Sequence, residues 1–172
     1  MLKAAGAILV IFSCSAFGYS KSLVLSGRLR QLREIEKMVF LILGEITYKR
    51  EALPEALYGV AVKLQDPFSC FLEEVSKAAG AYQGACFQEI FRERAETYLG
   101  HCALTKKDLE EFVQLGEYLG YLDITLQKNT VSLYLEQLKK EIEDLQRELP
   151  TKQKLYQSMG MLGGIFLAIM LL

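Results

Sequence analysis

Three of the four cysteines, Cys70, Cys86 and Cys102, follow one another at intervals of 16 residues, a spacing that could indicate a repeat or a metal site. No C-x-x-C pair accompanies them, and 16 helical residues at about 100° each rotate the chain by about 160°. Consecutive thiols would therefore not share a helix face. We interpret these cysteines as buried free thiols of a protein from a reducing compartment.

The single histidine, His101, precedes Cys102, and an imidazole beside a thiol could form a nucleophilic pair. Adjacent residues on a helix point apart, however, and Gly100 indicates that both lie at a helix end. One histidine also excludes sites that need two imidazoles, such as H-E-x-x-H zinc helices and paired Glu-x-x-His iron sites. The sequence therefore predicts no metal site and no thiolate catalysis.

Acidic doublets occur at Glu73-Glu74, Glu110-Glu111 and Glu143-Asp144. General acid and base chemistry needs two carboxylates in different, sheltered surroundings, which these doublets lack, so we assign them to solvated helix faces. No G-x-x-x-x-G-K-[ST] loop is present to hold phosphates. We therefore predict that the protein is not an enzyme and binds no cofactor. Any energy that it uses must be consumed by a partner.

Charge is concentrated in the middle of the 172-residue chain. The 20 basic and 21 acidic residues give a net charge of −1, and no basic stripe with interleaved aromatic residues is present, which argues against nucleic acid as a partner. All of these charges except Lys3 lie between Lys21 and Lys154, so residues 4–20 and 155–172 have no charged side chain. A charged middle segment thus lies between two uncharged ends.

The two uncharged ends predict transmembrane helices at 1–25 and 155–172, so we expect the membrane to be a partner. The first run reaches the roughly 20 residues that a bilayer requires only if Lys21 extends to the headgroups. The second run, near 25 Å if helical, is shorter than the ~30 Å hydrocarbon core. Gly160 and Gly164 form a G-x-x-x-G pair that predicts close helix packing. Cys14 and Gly18 offer a comparable small face on the first helix.

Two spans would place both ends of the middle segment on one side of the membrane. Lys21, Arg28, Arg30 and Arg33 follow the first span before any acidic residue, and the positive-inside rule then predicts a cytoplasmic middle segment. The alternative is cleavage of a signal peptide before Cys14, which would give an exported lipoprotein whose helices bind a ligand.

The middle segment, 26–154, shows helical periodicity throughout. We predict that a helix runs from the first span to about Arg50, and that a short helix begins at Leu53-Pro54. Three more helices are predicted after the Asp66-Pro67 N-cap, from Ala85 to Leu99, and after a Thr105–Asp108 capping box. With the segment from Asp123, this predicts an all-α cytoplasmic bundle of about six helices flanked by the two transmembrane helices.

The segment 123–149 has a heptad seam. Its apolar residues alternate at intervals of four and three, at Val131, Leu135, Leu138, Ile142, Leu145 and Leu149. This pattern is typical of a coiled coil or of a long arm in a helical bundle. The first interpretation would make the chain a membrane-tethered coiled-coil adaptor and a homo-oligomer, whereas the second buries the seam within one chain.

Six stretches follow one another in a fixed order along the chain. They are Met1-Leu-Lys-Ala-Ala-Gly-Ala-Ile-Leu9, the basic helix start Arg28 to Arg33, Gly44-Glu-Ile-Thr-Tyr48, Leu53-Pro-Glu-Ala-Leu57, Leu119-Gly-Tyr-Leu-Asp123, and Tyr156-Gln-Ser-Met-Gly-Met-Leu-Gly-Gly-Ile-Phe-Leu-Ala-Ile169. Together, and over nearly the whole chain, they closely resemble the stage III sporulation protein AB family of endospore-forming bacteria.

The resemblance implies a component of the channel complex that joins the mother cell to the forespore. It places the protein in the mother-cell membrane around the forespore, with the helical domain in the mother-cell cytoplasm. That domain is in turn similar to the platform protein of type II secretion and type IV pilus systems, which contacts a hexameric ATPase. The implied partners are stage III sporulation protein AA, as the ATPase, and other channel components.

The segment from Glu45 to Leu57 resembles the helix-turn-helix of the platform family, although Lys49-Arg50-Glu51 replaces the usual small residues of the turn. The candidate partner surface is Glu45, Tyr48, Pro54 and Glu55. The alternative is an ordinary helical hairpin, in which Pro54 starts a helix and Glu55 favours its N-terminal dipole. Our leading hypothesis is a membrane-anchored scaffold that passes a conformational change from the ATPase to the channel.

Overall fold

The computed structural model describes residues 2–49, 52–81, 86–120 and 124–171, and the regular structure in these ranges is entirely helical. The α-helices are α1 (Leu2–Gly44), α2 (Leu53–Ala61), α3 (Phe68–Gly80), α4 (Phe87–Leu99), α5 (Lys106–Leu119) and α6 (Ile124–Leu171). A π-helical segment, Glu45–Lys49, continues from α1. The predicted all-α fold with about six helices is confirmed.

The helices form two compact units. The first, which we call the helix pair, contains Met1–Leu29 and Glu143–Leu172, and the second, the bundle, contains Arg30–Ile142. Helices α1 and α6 contribute residues to both units. The domain boundaries predicted from the distribution of charge, at 25/26 and 154/155, stay a prediction.

The centre of the bundle is aromatic. Helix α2 packs on α3, α3 on α4, and α4 on α5. The rings of Phe71, Phe91 and Phe112 are fully buried, with centroids 5.1 to 5.6 Å apart, and Phe71 meets both of the others edge to face. Edge-to-face contacts of this kind stabilise the fold beyond the contribution from burying apolar area. Gly116 leaves room for the Phe91 ring, since a Cβ there would lie 2.5 Å from Phe91 Cδ1.

The long helices add apolar stripes to the bundle. Helix α1 contributes the buried residues Leu32, Ile35, Met38, Val39 and Ile42, and α6 contributes Val131, Leu135, Leu138 and Ile142. Much of the heptad seam is therefore buried within this chain, as the bundle interpretation predicts.

Local signals explain several helix ends. The capping box is confirmed, because the Asp108 N–H donates to Thr105 Oγ1 at 3.2 Å and the Thr105 N–H donates to Asp108 Oδ2 at 2.9 Å. Helix α4 ends at Leu99 before Gly100, as predicted. The predicted Asp66-Pro67 N-cap is wrong: α3 begins at Phe68, and its first turn has no side-chain cap.

Helix α6 continues through Pro150 to Leu171, whereas the sequence pattern indicated an arm that ends at Leu149. Proline has no N–H to donate to the carbonyl four residues earlier, which is why it usually marks a boundary. The capacity of a helix to continue past a proline depends on the rest of its packing, and local sequence does not report that packing.

The transmembrane assignments at 1–25 and 155–172 are not supported. In the described ranges, no helix combines the length and the apolar character that a membrane crossing requires. Polar residues and glycines lower the mean hydropathy of both uncharged ends: Ser13, Ser15 and Gly18 in α1, and Gln157 and Ser158 in α6.

Candidate interaction surfaces

Glu45 lies at the start of the π-helical segment and is only 6% exposed. Its Oε1 atom accepts a hydrogen bond from Lys63 Nζ at 2.8 Å, so the carboxylate joins this segment to the loop that follows α2. A partner would not touch Glu45 directly. The structure instead gives it a positioning role, because it holds the π-helical segment to the loop after α2.

The other three residues of the candidate partner surface have different environments. Tyr48 is 86% exposed, and Glu55 is exposed in the first turn of α2, where its charge favours the helix dipole. The carbonyl of Pro54 accepts a hydrogen bond from Ser76 Oγ at 2.7 Å, which ties the start of α2 to α3. Arg50 and Glu51 of the turn lie outside the described residues.

Helix α2 has an outer surface that the sequence reasoning missed. Tyr58 and Val62 are more than half exposed, and their spacing from Glu55 places all three on one side of the helix. We call Glu55, Tyr58 and Val62 the α2 face. The opposite side of the helix is fully buried through Ala56, Leu57, Val60 and Ala61. Two large apolar residues opposite a buried stripe were the signal that could have revealed this face.

The cysteines are free thiols, but the prediction that they are buried is wrong. Cys86 is exposed, and Cys70 and Cys102 are half-buried. The Cys70 thiol donates a hydrogen bond to Asp66 Oδ1 at 3.0 Å, and this bond raises the pKa of Cys70. Burial raises the pKa of Cys102. Both thiols therefore stay protonated at neutral pH, which disfavours nucleophilic chemistry.

Among the described residues, no group of three His, Cys, Asp or Glu side chains could hold a metal ion. His101 is exposed in the turn after α4, where the Cys102 N–H donates to the Leu99 carbonyl at 3.0 Å. Burial is the main cause of a raised pKa at Tyr134, and repulsion from Glu111, Asp108 and Glu141 raises it further. This phenol therefore stays protonated at physiological pH.

The helix pair brings the predicted small residues of α1 and α6 together. Gly18 is buried, and a Cβ there would lie 2.5 Å from the Tyr156 carbonyl oxygen and 3.4 Å from Gly160 Cα. A Cβ at Gly160 would lie 2.8 Å from the Cys14 carbonyl oxygen. The two helices are antiparallel, because Gly18 of α1 lies beside Tyr156 of α6, whereas the earlier Cys14 lies beside the later Gly160. Gly164 is buried one turn beyond Gly160.

A polar contact extends this helix packing. Gln153 Nε2 donates to Ser26 Oγ at 2.7 Å, and the Ser26 hydroxyl also donates to the Ser22 carbonyl. On one side of the pair lies an open groove of about 610 Å³. Its lining includes Phe17, Gly18, Lys21, Met159, Gly163 and Leu167.

Comparison with known proteins identifies relatives of the chain. The family model described as stage III sporulation protein AB matches residues 3–172. Stage III sporulation protein AB of Bacillus subtilis (strain 168) is 26% identical over 176 residues, with all of both chains covered. A solved structure of a stage III sporulation protein AB has a TM-score of 0.64 at 23% identity, and the match covers 72% of this chain and 96% of that one. The chain therefore belongs to the stage III sporulation protein AB family.

Proposed function

We propose that this protein is a non-enzymatic scaffold of the mother cell–forespore channel complex required for endospore formation. In this proposal the helix pair associates with the mother-cell membrane around the forespore, and the bundle lies in the mother-cell cytoplasm. The bundle couples a cytoplasmic ATPase, stage III sporulation protein AA, to the channel. The chain belongs to a family that is named for a stage of sporulation and not for a reaction, and this supports a non-enzymatic role in spore formation.

The observation that carries the proposal is the exposed apolar surface of the helix pair. Large apolar side chains project outward along both helices at Phe12, Phe17, Leu162, Phe166, Ile169 and Met170. Many exposed large apolar side chains on one pair of helices usually mark a site that contacts a membrane or another protein. Basic residues lie next to it, at Lys21 on α1 and Lys154 on α6, where they could meet anionic headgroups.

The bundle offers a separate surface for the ATPase. The α2 face is exposed, and the π-helical segment that packs against α2 adds the exposed Tyr48 ring. Tyrosines are frequent in the centres of protein interfaces because they bury a large area at a small entropic cost. The Glu45–Lys63 ion pair and the Ser76–Pro54 hydrogen bond would hold this surface in place.

Copurification of the full-length protein with the purified ATPase in mild detergent tests the coupling role. We expect wild type to retain the ATPase and Tyr58→Ser to weaken the association by about tenfold, since a buried tyrosine at an interface contributes of the order of 1–2 kcal/mol. Leu133→Ser is the matched control, because Leu133 is equally exposed but lies on α6. Absence of association with wild type would overturn the coupling role.

Two further measurements test the location. The full-length protein should float with vesicles that contain anionic lipid. Cys86 is exposed and should react with a membrane-impermeant maleimide only after the cells are opened. Labelling in intact cells would overturn the cytoplasmic location. A shortened, acylated N-terminus beginning at Cys14 would instead support the exported lipoprotein.

A further inference from the structure

The groove of the helix pair has an apolar wall and an open notch. Phe17 on α1 and Met159 and Leu167 on α6 line it. Gly163 also lines it, and a Cβ at that position would meet no atom within 4 Å. The missing side chain at 163 therefore leaves space that another molecule can occupy without disturbing the Gly18–Gly160 contact.

One end of the groove is cationic. Lys21 belongs to the lining, and its ammonium group lies 5.7 Å from the centre of the Phe17 ring. The antiparallel register places Lys154 at the level of Lys21. No acidic residue precedes Glu34 in the sequence and none follows Glu148. Lys21 and Lys154 therefore have no carboxylate close to them in the sequence. This end of the groove therefore favours an anion.

The length of the groove matches one leaflet of a bilayer. Tyr156 lines it near the level of Lys21, and Leu167 lines it farther along α6. At 1.5 Å per residue these two positions are about 16 Å apart along the helix, close to half of the ~30 Å hydrocarbon core. An acyl chain could therefore lie in the groove while its headgroup stays at the cationic end.

We propose that this groove binds one anionic phospholipid, with the phosphate at Lys21 and one acyl chain beside Phe17, Met159 and Gly163. The proposal rests on the membrane association put forward above. A second copy of the chain is a less suitable occupant. If it packed here about a two-fold axis parallel to the helices, it would bring a second Lys21 beside the first, and like charges oppose this.

Native mass spectrometry of the full-length protein tests the site directly. The protein is held in detergent micelles doped with equal amounts of phosphatidylglycerol and phosphatidylcholine. We expect one phosphatidylglycerol per chain. Lys21→Gln should lower its occupancy about tenfold, because a charge-assisted hydrogen bond to the phosphate is lost. Gly163→Leu should lower it comparably by filling the notch.

Matched variants keep the test specific. Lys152→Gln removes the same charge from a residue that is paired with Glu148, and Gly6→Leu adds the same side chain at an open position of α1. Both should keep the lipid. Equal retention of phosphatidylcholine, wild-type binding by Gly163→Leu, or a lipid-free dimer would overturn the site.

The two proposals can fail separately. If wild type floats with vesicles but retains no phosphatidylglycerol, the groove proposal fails and the membrane association stands. If wild type retains the lipid but does not associate with the ATPase, the lipid site stands and the coupling role fails.

Discussion

The buried carboxylate of Glu45 accepts a hydrogen bond from the half-exposed ammonium group of Lys63 at 2.8 Å. This contact joins residues 18 positions apart and links the π-helical segment to the loop that follows α2. It explains how a glutamate in the candidate partner surface can matter to that surface without lying on it.

Loss of the Lys63 cation should destabilise the bundle. Lys63→Met leaves a buried carboxylate without this charged partner, and we expect the free energy of unfolding to fall by about 1–3 kcal/mol. Urea titration of the full-length protein in mild detergent measures it. Lys77→Met is the control, because the Lys77–Glu74 pair has the same 2.8 Å separation but is more exposed. Its loss should destabilise the bundle much less than loss of Lys63, because an exposed ion pair contributes little to stability. Equal losses for the two variants would contradict the structural role of Glu45.

A methyl group at Gly116 should disturb the aromatic core. It would lie 2.5 Å from Cδ1 and 2.6 Å from Cγ of Phe91, whose ring is held between Phe71 and Phe112. We expect Gly116→Ala to cost about 1–3 kcal/mol through overpacking. Gly59→Ala, at an open position of α2, should instead stabilise by about 0.5–1 kcal/mol because alanine favours the helix. The same urea titration measures both, and a neutral Gly116→Ala would contradict this packing.

The helix pair should open when Gly18 is replaced. Gly18→Ala places a methyl group 2.5 Å from the Tyr156 carbonyl, where backbone and not a flexible side chain must move. Spin labels at Tyr19 and Lys154 in a cysteine-free background report the separation of α1 and α6. We expect a longer or broader distance distribution for Gly18→Ala and no change for Gly6→Ala, since Gly6 meets no atom within 4 Å. An unchanged distribution for Gly18→Ala would refute the close packing.

Alkylation of Cys70 should require a higher pH than that of an ordinary thiol. The hydrogen bond to Asp66 stabilises the protonated form and raises the pKa of Cys70, so its thiolate and its reaction rate increase only as pH rises through that raised value. Asp66→Asn removes the carboxylate and should move the profile to lower pH. Mass spectrometry after iodoacetamide treatment resolves each cysteine. Glu110→Gln should leave the Cys70 profile unchanged, and the hypothesis fails if Asp66→Asn does so too.

Much of the local structure was predictable because its causes lie within a few residues. The Thr105–Asp108 capping box and the end of α4 before Gly100 depend on neighbouring backbone groups, and the sequence shows both. The heptad seam likewise predicted a buried stripe on α6. The resemblance to the stage III sporulation protein AB family is confirmed by the family model.

The wrong predictions depended on the mean hydropathy of a long segment or on which nearby group a polar side chain contacts. The uncharged ends indicated membrane spans, but polar residues and glycines dilute their apolar character. The Asp66 carboxylate accepts from the Cys70 thiol, and α3 lacks the side-chain cap that the pattern predicted.

The sequence by itself determined the helical class, the capped start of α5, the end of α4 and the family, because periodicity and capping are local properties. Only the tertiary structure decided that Glu45 is buried against Lys63, that Gly116 accommodates Phe91, and that Gly18 meets Gly160. Each of these contacts joins residues far apart in the chain. Their geometry follows from how whole helices pack, and a pattern along one helix contains no information about the distance to another.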